Sequence, residues 1–409
     1  MADVLRISLS PEKTDDRFAR FRLIPWWDQK KLAATKVVVI GAGALGNEII
    51  KNLALLGIGN VFIADLDTIE NSNLSRSILY RSNDNGRRKA EVASEAAKNV
   101  YPGIHTHWFN GNIVYDLGLG LYRWADIVIG GLDNREARLA INQSCYKVNR
   151  PWIDGAIEQL NGVARMFVPP DGPCYECTMS KRDWELLEMR RSCNLLTREE
   201  METGKVPTTP TTASVIAGIQ VQEAVKYLHG KPTLAGKGFI FNGLDHDSYT
   251  VEYVRKEECY SHESFSPVTV LKQGVNEVTL AMLLAQARKM VGPDAVVEFN
   301  NDILRSLRCV KCNSEEELFM SLGKVTQKQG RCPKCGEMRD IQTLHSVSGR
   351  ESFLDRTFGQ IGVPPFDIVA ARSGEKQVFF EFGGDATQVL GPLHQQGAKT
   401  WTSPESAKE

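Results

Sequence analysis

Cysteines carry the most specific chemical pattern in this sequence. Six of the nine form three Cys-x-x-Cys pairs, and in a reducing compartment such pairs are typical of metal ligation. Two of the pairs, Cys309/Cys312 and Cys332/Cys335, have 19 residues between them, which predicts a four-cysteine structural zinc site. Zinc would stabilise this poorly apolar segment by about 10 to 16 kcal/mol, against roughly 2 to 4 kcal/mol for a disulfide.

A glycine-rich segment, Gly41-Ala42-Gly43-Ala44-Leu45-Gly46, lies between a predicted strand and a predicted helix. The glycines let the backbone turn tightly and approach a phosphate, and the helix N-terminus supplies N–H donors and partial positive charge. Asp65 follows Gly46 by 19 residues, at the end of the next predicted strand, where a carboxylate can bond ribose hydroxyls. The pattern predicts a nucleotide or dinucleotide site, and the alternative is a glycine-rich turn that binds nothing.

The charged residues that follow this segment favour ATP over NAD. Asp65 is followed, in this order, by Asp67, the run Asn71-Ser72-Asn73-Leu74-Ser75-Arg76, Lys89 and Asp133-Asn134. Breaking the α,β bond of ATP requires Arg and Lys to neutralise the departing pyrophosphate and an Asp to carry Mg2+. Hydride transfer needs neither. An NAD oxidoreductase and an adapter that binds nucleotide without chemistry are the alternatives, and tight NADH binding without ATP hydrolysis would establish the first.

Taken together, these motifs resemble the ThiF/MoeB superfamily, which contains the ubiquitin-activating enzymes and the bacterial sulfur-carrier adenylating enzymes. The resemblance spans roughly residues 17–263 and includes GAGALG, NSNLSR, GLDN-x-x-x-R and CYEC. It implies that Asp65 holds the ribose, that Asn73, Arg76 and Lys89 hold the phosphates, and that Asp133 holds Mg2+. The implied nucleotide-binding set is Gly41, Gly43, Ala44, Gly46, Asp65, Asp67, Asn73, Arg76, Lys89, Asp133 and Asn134.

The resemblance also implies roles for two residues outside the glycine segment. Arg20 matches an N-terminal arginine that in this family reaches the ATP of the partner subunit, which implies a homodimer. Arg22 is the alternative candidate for the same role. Cys193 lies in the crossover segment that carries the catalytic cysteine in the family, and adjacent arginines favour its nucleophilic thiolate. The alternative for Cys193 is an exposed, idle thiol. The implied catalytic set is Cys193, Arg20, Arg76, Lys89 and Asp133.

A second metal site follows from the same resemblance. Cys174-x-x-Cys177 has no cysteine pair near it, and where family members carry a second pair this chain has Cys259 and His262. Three cysteines and one histidine are a permitted tetrahedral zinc set, and no open coordination position suggests a catalytic metal. The alternative is that Cys174 and Cys177 are reduced core thiols. Cys145 is predicted to be a small buried apolar residue.

The elements that must position these residues alternate as strand and helix from Ala34 onward. We predict an α/β fold: a Rossmann-like, mainly parallel sheet forming an adenylation domain with an antiparallel extension, plus a C-terminal zinc ribbon and a small α/β or β module. The predicted segments are an N-terminal arm (1–33), the adenylation domain (34–263) with a cysteine-bearing crossover segment (about 178–206), a small α/β segment (264–300), the zinc ribbon (301–345), a β-hairpin module with Gly374 in its turn (346–393) and a disordered tail (394–409).

The balance of charged residues limits the classes of partner that the protein can bind. Lys and Arg (49) almost cancel Asp and Glu (50), so no global positive field favours nucleic acid or an anionic membrane. The region from Arg305 to Asp340 has eight basic and five acidic residues. This small positive excess gives only weak support for nucleic-acid contact, so we predict a solvated face there. No stretch approaches the roughly 20 apolar residues of a membrane span and no apolar signal segment precedes the first domain, so we predict a cytoplasmic protein.

The resemblance to the ThiF/MoeB superfamily implies an enzyme that uses Mg·ATP to adenylate the C-terminal glycine of a ubiquitin-like protein. Cys193 then captures the acyl group as a thioester, and a conjugating enzyme receives it at the C-terminal half. The alternative is a sulfur-carrier-protein adenylyltransferase of the molybdopterin or thiamine type, in which Cys193 is dispensable. The C-terminal half is then either a docking platform or a substrate-binding extension.

Overall fold

The computed structural model describes residues 16–185 and 207–395. Cys193 and residues 186–206 of the predicted crossover segment lie outside these ranges, as do residues 1–15 and 396–409. What the sequence predicts for those positions therefore stays a prediction. No helix within the described ranges combines the length and the apolar character that crossing a bilayer requires.

The first part of the chain forms a sheet of eight strands in the order β3-β2-β1-β4-β5-β6-β7-β8. The first five strands in this order pair in parallel and the last three pair antiparallel, which confirms the predicted mainly parallel sheet with an antiparallel extension. The strands are β1 (Lys36–Ile40), β2 (Asn60–Ala64), β3 (His105–Phe109), β4 (Ile127–Gly130), β5 (Trp152–Glu158), β6 (Asn161–Phe167), β7 (Lys237–Asn242) and β8 (Asp247–Glu252).

Helices cover both faces of this sheet because consecutive residues of its central strands are apolar and point to opposite faces. Val37 and Val39 of β1 belong to one core cluster and Val38 and Ile40 to another, so β1 is buried on both sides, as parallel strands between helices are. The helices of this part are α1 (Gln29–Ala34), α2 (Ala44–Leu56), α3 (Lys89–Val100), α4 (Leu119–Trp124), α5 (Arg135–Lys147), α6 (Tyr175–Thr178) and α7 (Pro210–Leu228).

The strand order reverses at β1, which has β2 on one side and β4 on the other. The turns that follow β1 and β4 therefore leave the sheet toward opposite faces and open a crevice at its carboxyl edge, where doubly wound folds bind ligands. The glycine segment follows β1 directly, and Asp133 comes three residues after β4 ends.

A second sheet of six strands organises the rest of the chain, in the order β11-β10-β13-β14-β9 with β12 also paired to β10. Strand β10 crosses the boundary predicted between residues 300 and 301, so the three predicted C-terminal segments share this one sheet. The predicted hairpin is present as β13 and β14, with Gly374 at φ +58° in its turn. The elements are β9 (Val268–Leu271), α8 (Leu280–Val291), β10 (Val296–Cys309), β11 (Ser314–Ser321), α9 (Gln327–Gly330), β12 (Asp340–Val347), β13 (Ile368–Ser373), β14 (Lys376–Phe382) and α10 (Ala386–Leu390).

The second sheet packs against α4 of the first part. Residues of both parts belong to one apolar cluster, and Arg123 makes two hydrogen bonds to Glu381, of 2.5 and 2.6 Å. Gly120 donates its N–H to the Phe366 carbonyl at 2.9 Å, and a Cβ at Gly120 would lie 2.5 Å from that oxygen. Glycine thus lets the two backbones meet closely.

Candidate nucleotide and metal sites

The glycine segment forms a tight turn between β1 and α2. Gly41 has φ +95°, and a Cβ there would lie 2.5 Å from the Gly131 carbonyl oxygen, so only glycine allows the β1 and β4 turns to approach. A Cβ at Gly43 would meet no described atom within 4 Å. The backbone before α2 is therefore open to a ligand, which suits a phosphate at a helix N-terminus.

Three side chains fix this turn. Asp65 accepts hydrogen bonds from the N–H groups of Ala42 (2.6 Å) and Asp67 (2.8 Å), one on each carboxylate oxygen. Asn47, fully buried in α2, donates to the Ala42 carbonyl at 2.6 Å, and the Tyr80 hydroxyl lies 2.6 Å from the same oxygen. Each Asp65 oxygen keeps lone-pair capacity for a ribose hydroxyl, so the carboxylate can hold both the turn and a nucleotide.

Sequence analysis did not single out Asn47 and Tyr80. Asn47 also accepts the N–H of Leu79 at 2.9 Å, so it links the glycine turn to the loop that carries Arg76. The sequence feature that could have identified Asn47 is its position as a polar residue on the buried side of an apolar helix. A buried amide without a hydrogen-bond partner is costly there, so Asn47 must bond to a neighbouring group.

Lys89 is the central cation of the crevice. Its ammonium lies 2.8 Å from the Asp67 carboxylate. Burial opposes its charge, but the negative charges of Asp65, Asp67 and Asp133 outweigh burial and raise the pKa of Lys89. For Asp65, burial raises the pKa of the carboxyl group, and the charge of Lys89 and the two backbone donors oppose that change. The arrangement keeps a protonated lysine among three carboxylates, as a site for phosphates and a divalent cation requires.

The remaining predicted nucleotide residues have local roles in the structure. Asn73 accepts the N–H of Glu70 at 3.0 Å in a short 3-10 turn, and Arg76 donates to the Ser72 carbonyl at 2.8 Å. Asn134 caps α5 by accepting the N–H of Ala137 at 2.8 Å. Ala44 is the first residue of α2. These contacts hold the loops that surround the crevice in place.

Arg138 supports the loop that carries Asp133 from behind. It is buried and donates to the Asp154 carboxylate at 2.9 Å and to the carbonyl oxygens of Leu132 (2.5 Å) and Gly155 (3.1 Å). Arg165 pairs with the other oxygen of Asp154 at 2.6 Å. The fully buried carboxylate is therefore paired on both sides, as a buried charge must be.

The N-terminal arm presents Arg20 at the surface. The arm is held by Arg17, which donates to the Val100 carbonyl at 2.8 Å, and Arg22 pairs with Asp16 at 2.7 Å. The Arg20 side chain is exposed and makes no hydrogen bond or ion pair within residues 16–185 and 207–395. Its guanidinium is thus available to a group outside the described chain.

The structure brings together the three cysteines and one histidine predicted as a metal set. The Cys174 sulfur lies 3.7 Å from that of Cys177 and 3.5 Å from that of Cys259, and the Cys177 sulfur lies 3.4 Å from His262 Nε2. Neighbouring sulfurs on a zinc tetrahedron with bonds of about 2.3 Å are about 3.8 Å apart, whereas a disulfide requires about 2.0 Å. The cluster fits a tetrahedral metal and excludes a bridge between these cysteines.

The four cysteines of the predicted ribbon also converge. Their sulfur atoms all lie within 4.8 Å of one another, and Cys309 and Cys335 are 3.6 Å apart. The N–H groups of Lys334 and Cys335 bond the Cys332 sulfur and contribute to lowering its pKa to about 6, which favours the thiolate that binds metal. Cys145 is fully buried outside both clusters, as predicted.

The sequence profile of the ThiF family matches residues 16–261. That range contains the glycine turn, Asp65, Lys89 and Asp133, and it covers more than half of the chain. The chain belongs to the ThiF family. The family match ends before the second sheet, so the four-cysteine cluster lies beyond it.

The similar proteins include activating enzymes and a sulfur carrier protein adenylyltransferase. The chain is 31% identical to a SAMP-activating enzyme E1 of Haloferax volcanii over 56% of this chain and 81% of the relative. It is 36% identical to the SUMO-activating enzyme subunit uba-2 of Caenorhabditis elegans over 38% of this chain and 27% of the relative. The third, a sulfur carrier protein adenylyltransferase of Thermus thermophilus, is 32% identical over 41% of this chain and 64% of the relative. The matched segment thus spans about a quarter to four fifths of these relatives.

Solved structures agree on the fold. The crystal structure of Escherichia coli MccB with ATP superposes with a TM-score of 0.51 at 23% identity, covering 62% of this chain and 75% of MccB. At this identity the likeness shows the fold alone. It confirms the predicted α/β architecture independently of the sequence motifs.

Proposed function

We propose that this ThiF-family chain adenylates the C-terminal carboxylate of a ubiquitin-like protein and captures the product as a thioester on Cys193. The observation that carries the proposal is the meeting of the glycine turn, Asp65, Lys89 and Asp133 at one crevice. The similarity to the activating enzymes of SAMP, SUMO and NEDD8 supports it. We further propose that both cysteine clusters hold structural Zn2+.

The residues divide the work by their chemistry. Asp65 would accept the ribose hydroxyls, while Lys89, Arg76 and Asn73 would neutralise and orient the phosphates, and Asp133 would hold Mg2+, which supplies further neutralisation of the leaving pyrophosphate. A carboxylate oxygen of the substrate attacks the α-phosphorus, an acyl–phosphate bond forms, the α,β bond breaks and pyrophosphate leaves. The Cys193 thiolate then attacks the acyl carbon, and AMP departs.

The first test separates adenylation from thioester formation. The full chain is incubated with Mg·ATP and candidate ubiquitin-like and sulfur-carrier proteins, and pyrophosphate exchange and non-reducing gels are read in parallel. We expect exchange in the wild type and in Cys193→Ala, with a thiol-sensitive adduct only in the wild type. Lys89→Ala should reduce exchange at least about 100-fold, because it removes the main phosphate cation. Exchange that persists in Lys89→Ala would contradict the proposed site.

A sulfur-carrier adenylyltransferase is the second candidate. The match to the Thermus thermophilus enzyme favours it, since it covers 64% of that relative. It predicts exchange without any adduct on Cys193 and normal downstream sulfur transfer in Cys193→Ala. The same gel therefore decides between the two functions.

A further inference from the structure

The second sheet has an open edge at β9. Strand β9 is the last strand in the order of that sheet, and among the described residues it pairs on one side only, in parallel with β14. Within the described residues, no backbone hydrogen bond reaches β9 from its outer side. Because parallel pairing uses alternate residues, the remaining N–H and C=O groups point outward, and such an edge is a template for another strand.

A groove begins at Leu271, the last residue of β9, and runs along α8. It has a volume of about 450 Å³; Leu271, Val278, Met282 and Ala285 form its apolar lining, and Gln273, Gln286 and Lys289 its polar lining. Met282 is 52% exposed, whereas Val270, which is 53% exposed, lies on the opposite face of the edge strand from Leu271. Leu271 shares the face of Phe382 that packs on α8, so the groove continues the core of the sheet. Aliphatic side chains from an added strand would extend that core, and flexible Met282 can adapt to them.

Positive charge flanks the groove. Lys272 follows β9 directly, and Lys289 lines the groove on α8; both are exposed, and neither makes an ion pair within the described ranges. Two carboxylates lie nearby and keep their charge: Glu277 accepts the N–H of Gly274, and the buried Asp385 accepts that of Val275. The two exposed lysines are the groups of this rim with which an acidic side chain can pair.

We propose that the β9 edge and the groove beside it dock an extended segment of a partner protein. The segment adds as a strand, places alternate aliphatic side chains in the groove and sets flanking Asp or Glu near Lys272 and Lys289. The proposal concerns a surface outside the ThiF match and is independent of the adenylation proposed above.

The test screens a displayed library of random 12-residue peptides on the full chain and measures the affinity of the enriched peptides. We expect aliphatic residues at alternate positions with acidic flanks. Met282→Glu and the double variant Lys272→Glu/Lys289→Glu should each weaken binding at least tenfold, while Lys376→Glu, an exposed lysine on the β13–β14 hairpin, should not. Bound peptide should slow hydrogen exchange at residues 268–272.

Several outcomes would overturn the proposal. These are no enriched peptide, enriched peptides without the expected pattern, equal affinity for the groove variants, or exchange protection away from β9. Self-association that Met282→Glu abolishes would assign the edge to a second copy instead. Thermal unfolding and zinc content confirm that each variant is folded, and pyrophosphate exchange, read separately, keeps a failure here distinct from a failure of the adenylation proposal.

Discussion

Arg138 joins the Asp133 loop to the protein interior, although it contacts no nucleotide-binding side chain itself. Its Nη2 donates to the Leu132 carbonyl at 2.5 Å, while its Nε bonds the buried Asp154. A lysine would keep one charge near Asp154 but has no planar fork to reach both groups. The position of the Asp133 loop therefore depends on the guanidinium shape as well as on the charge.

We therefore expect Arg138→Lys to lower kcat/KM for adenylation about tenfold, or about 1.4 kcal/mol, and to raise the Mg2+ concentration required for half activity. The control is Arg165→Lys, because Arg165 pairs with the same carboxylate but makes no bond to the Leu132 carbonyl. The Mg2+ requirement of Arg165→Lys should stay unchanged. Equal Mg2+ shifts in both variants would mean that the effect is only on stability.

Arg138→Ala should destabilise the fold by about 3 kcal/mol, because it removes one partner of a buried ion pair.

At this scale the sequence identified residues whose chemistry is tied to a motif and missed those that act through packing. Asp65 was predicted from its spacing after the glycine segment, which the βαβ unit fixes. Lys89 was predicted from the charged residues that follow Asp65 and from the family resemblance. Asn47 and Tyr80 were missed, since their role depends on which carbonyl their side chains meet. That contact with Ala42 is a property of the folded loops.

At the scale of elements, β10 links the second sheet to the four-cysteine cluster. The strand starts beside β13 and ends at Cys309. Among the described residues, the core cluster near the ribbon has three buried apolar residues, Leu304, Leu307 and Val325, with four partly buried ones packed against them. So small a core does not offset the conformational entropy of ordering the ribbon, and a metal bound by the four cysteines would supply most of its stability.

We expect Cys332→Ser to lose one of two zinc ions per chain and to melt the ribbon at lower temperature than the rest of the protein. Elemental analysis and a thermal melt give the two readings. Cys145→Ala is the matched control, because Cys145 is a buried thiol outside both clusters, and it should retain both ions. Adenylation should persist in Cys332→Ser, since the crevice lies on the other sheet. Full zinc content in Cys332→Ser would contradict the four-cysteine site.

Local sequence patterns predicted the strands and helices well, but they did not predict which strands pair in the second sheet. The strand, glycine turn and helix around Gly41 are encoded by hydrophobic period and glycine geometry within about 25 residues. The parallel pairing of Val268 with Phe379 joins residues more than 100 positions apart. Periodicity carries no information on such partners, so the sequence divided one sheet into three segments.

At the scale of the whole molecule, the N-terminal arm carries a cationic side chain that the described residues leave without a partner. Arg17 fixes the arm to the end of α3 opposite Lys89, and the exposed Arg20 side chain makes no hydrogen bond or ion pair within the described ranges. In a two-fold dimer whose interface includes the arm, each Arg20 would lie beside the other subunit. If Arg20 completes the partner's site, activity requires one intact Arg20 and one intact Lys89 on opposite chains.

Subunit mixing tests this directly. Arg20→Ala and Lys89→Ala should each lose at least about 100-fold in pyrophosphate exchange, because each removes a phosphate cation. Co-expressed in equal amounts, the two variants form mixed dimers in about half of cases, each with one complete site, so about a quarter of wild-type activity should return. Arg22→Ala should behave like wild type, because Arg22 pairs with Asp16 in its own arm. Mixed samples no more active than the separate variants would place Arg20 outside the partner's site, and a monomer by sedimentation would remove the dimer altogether.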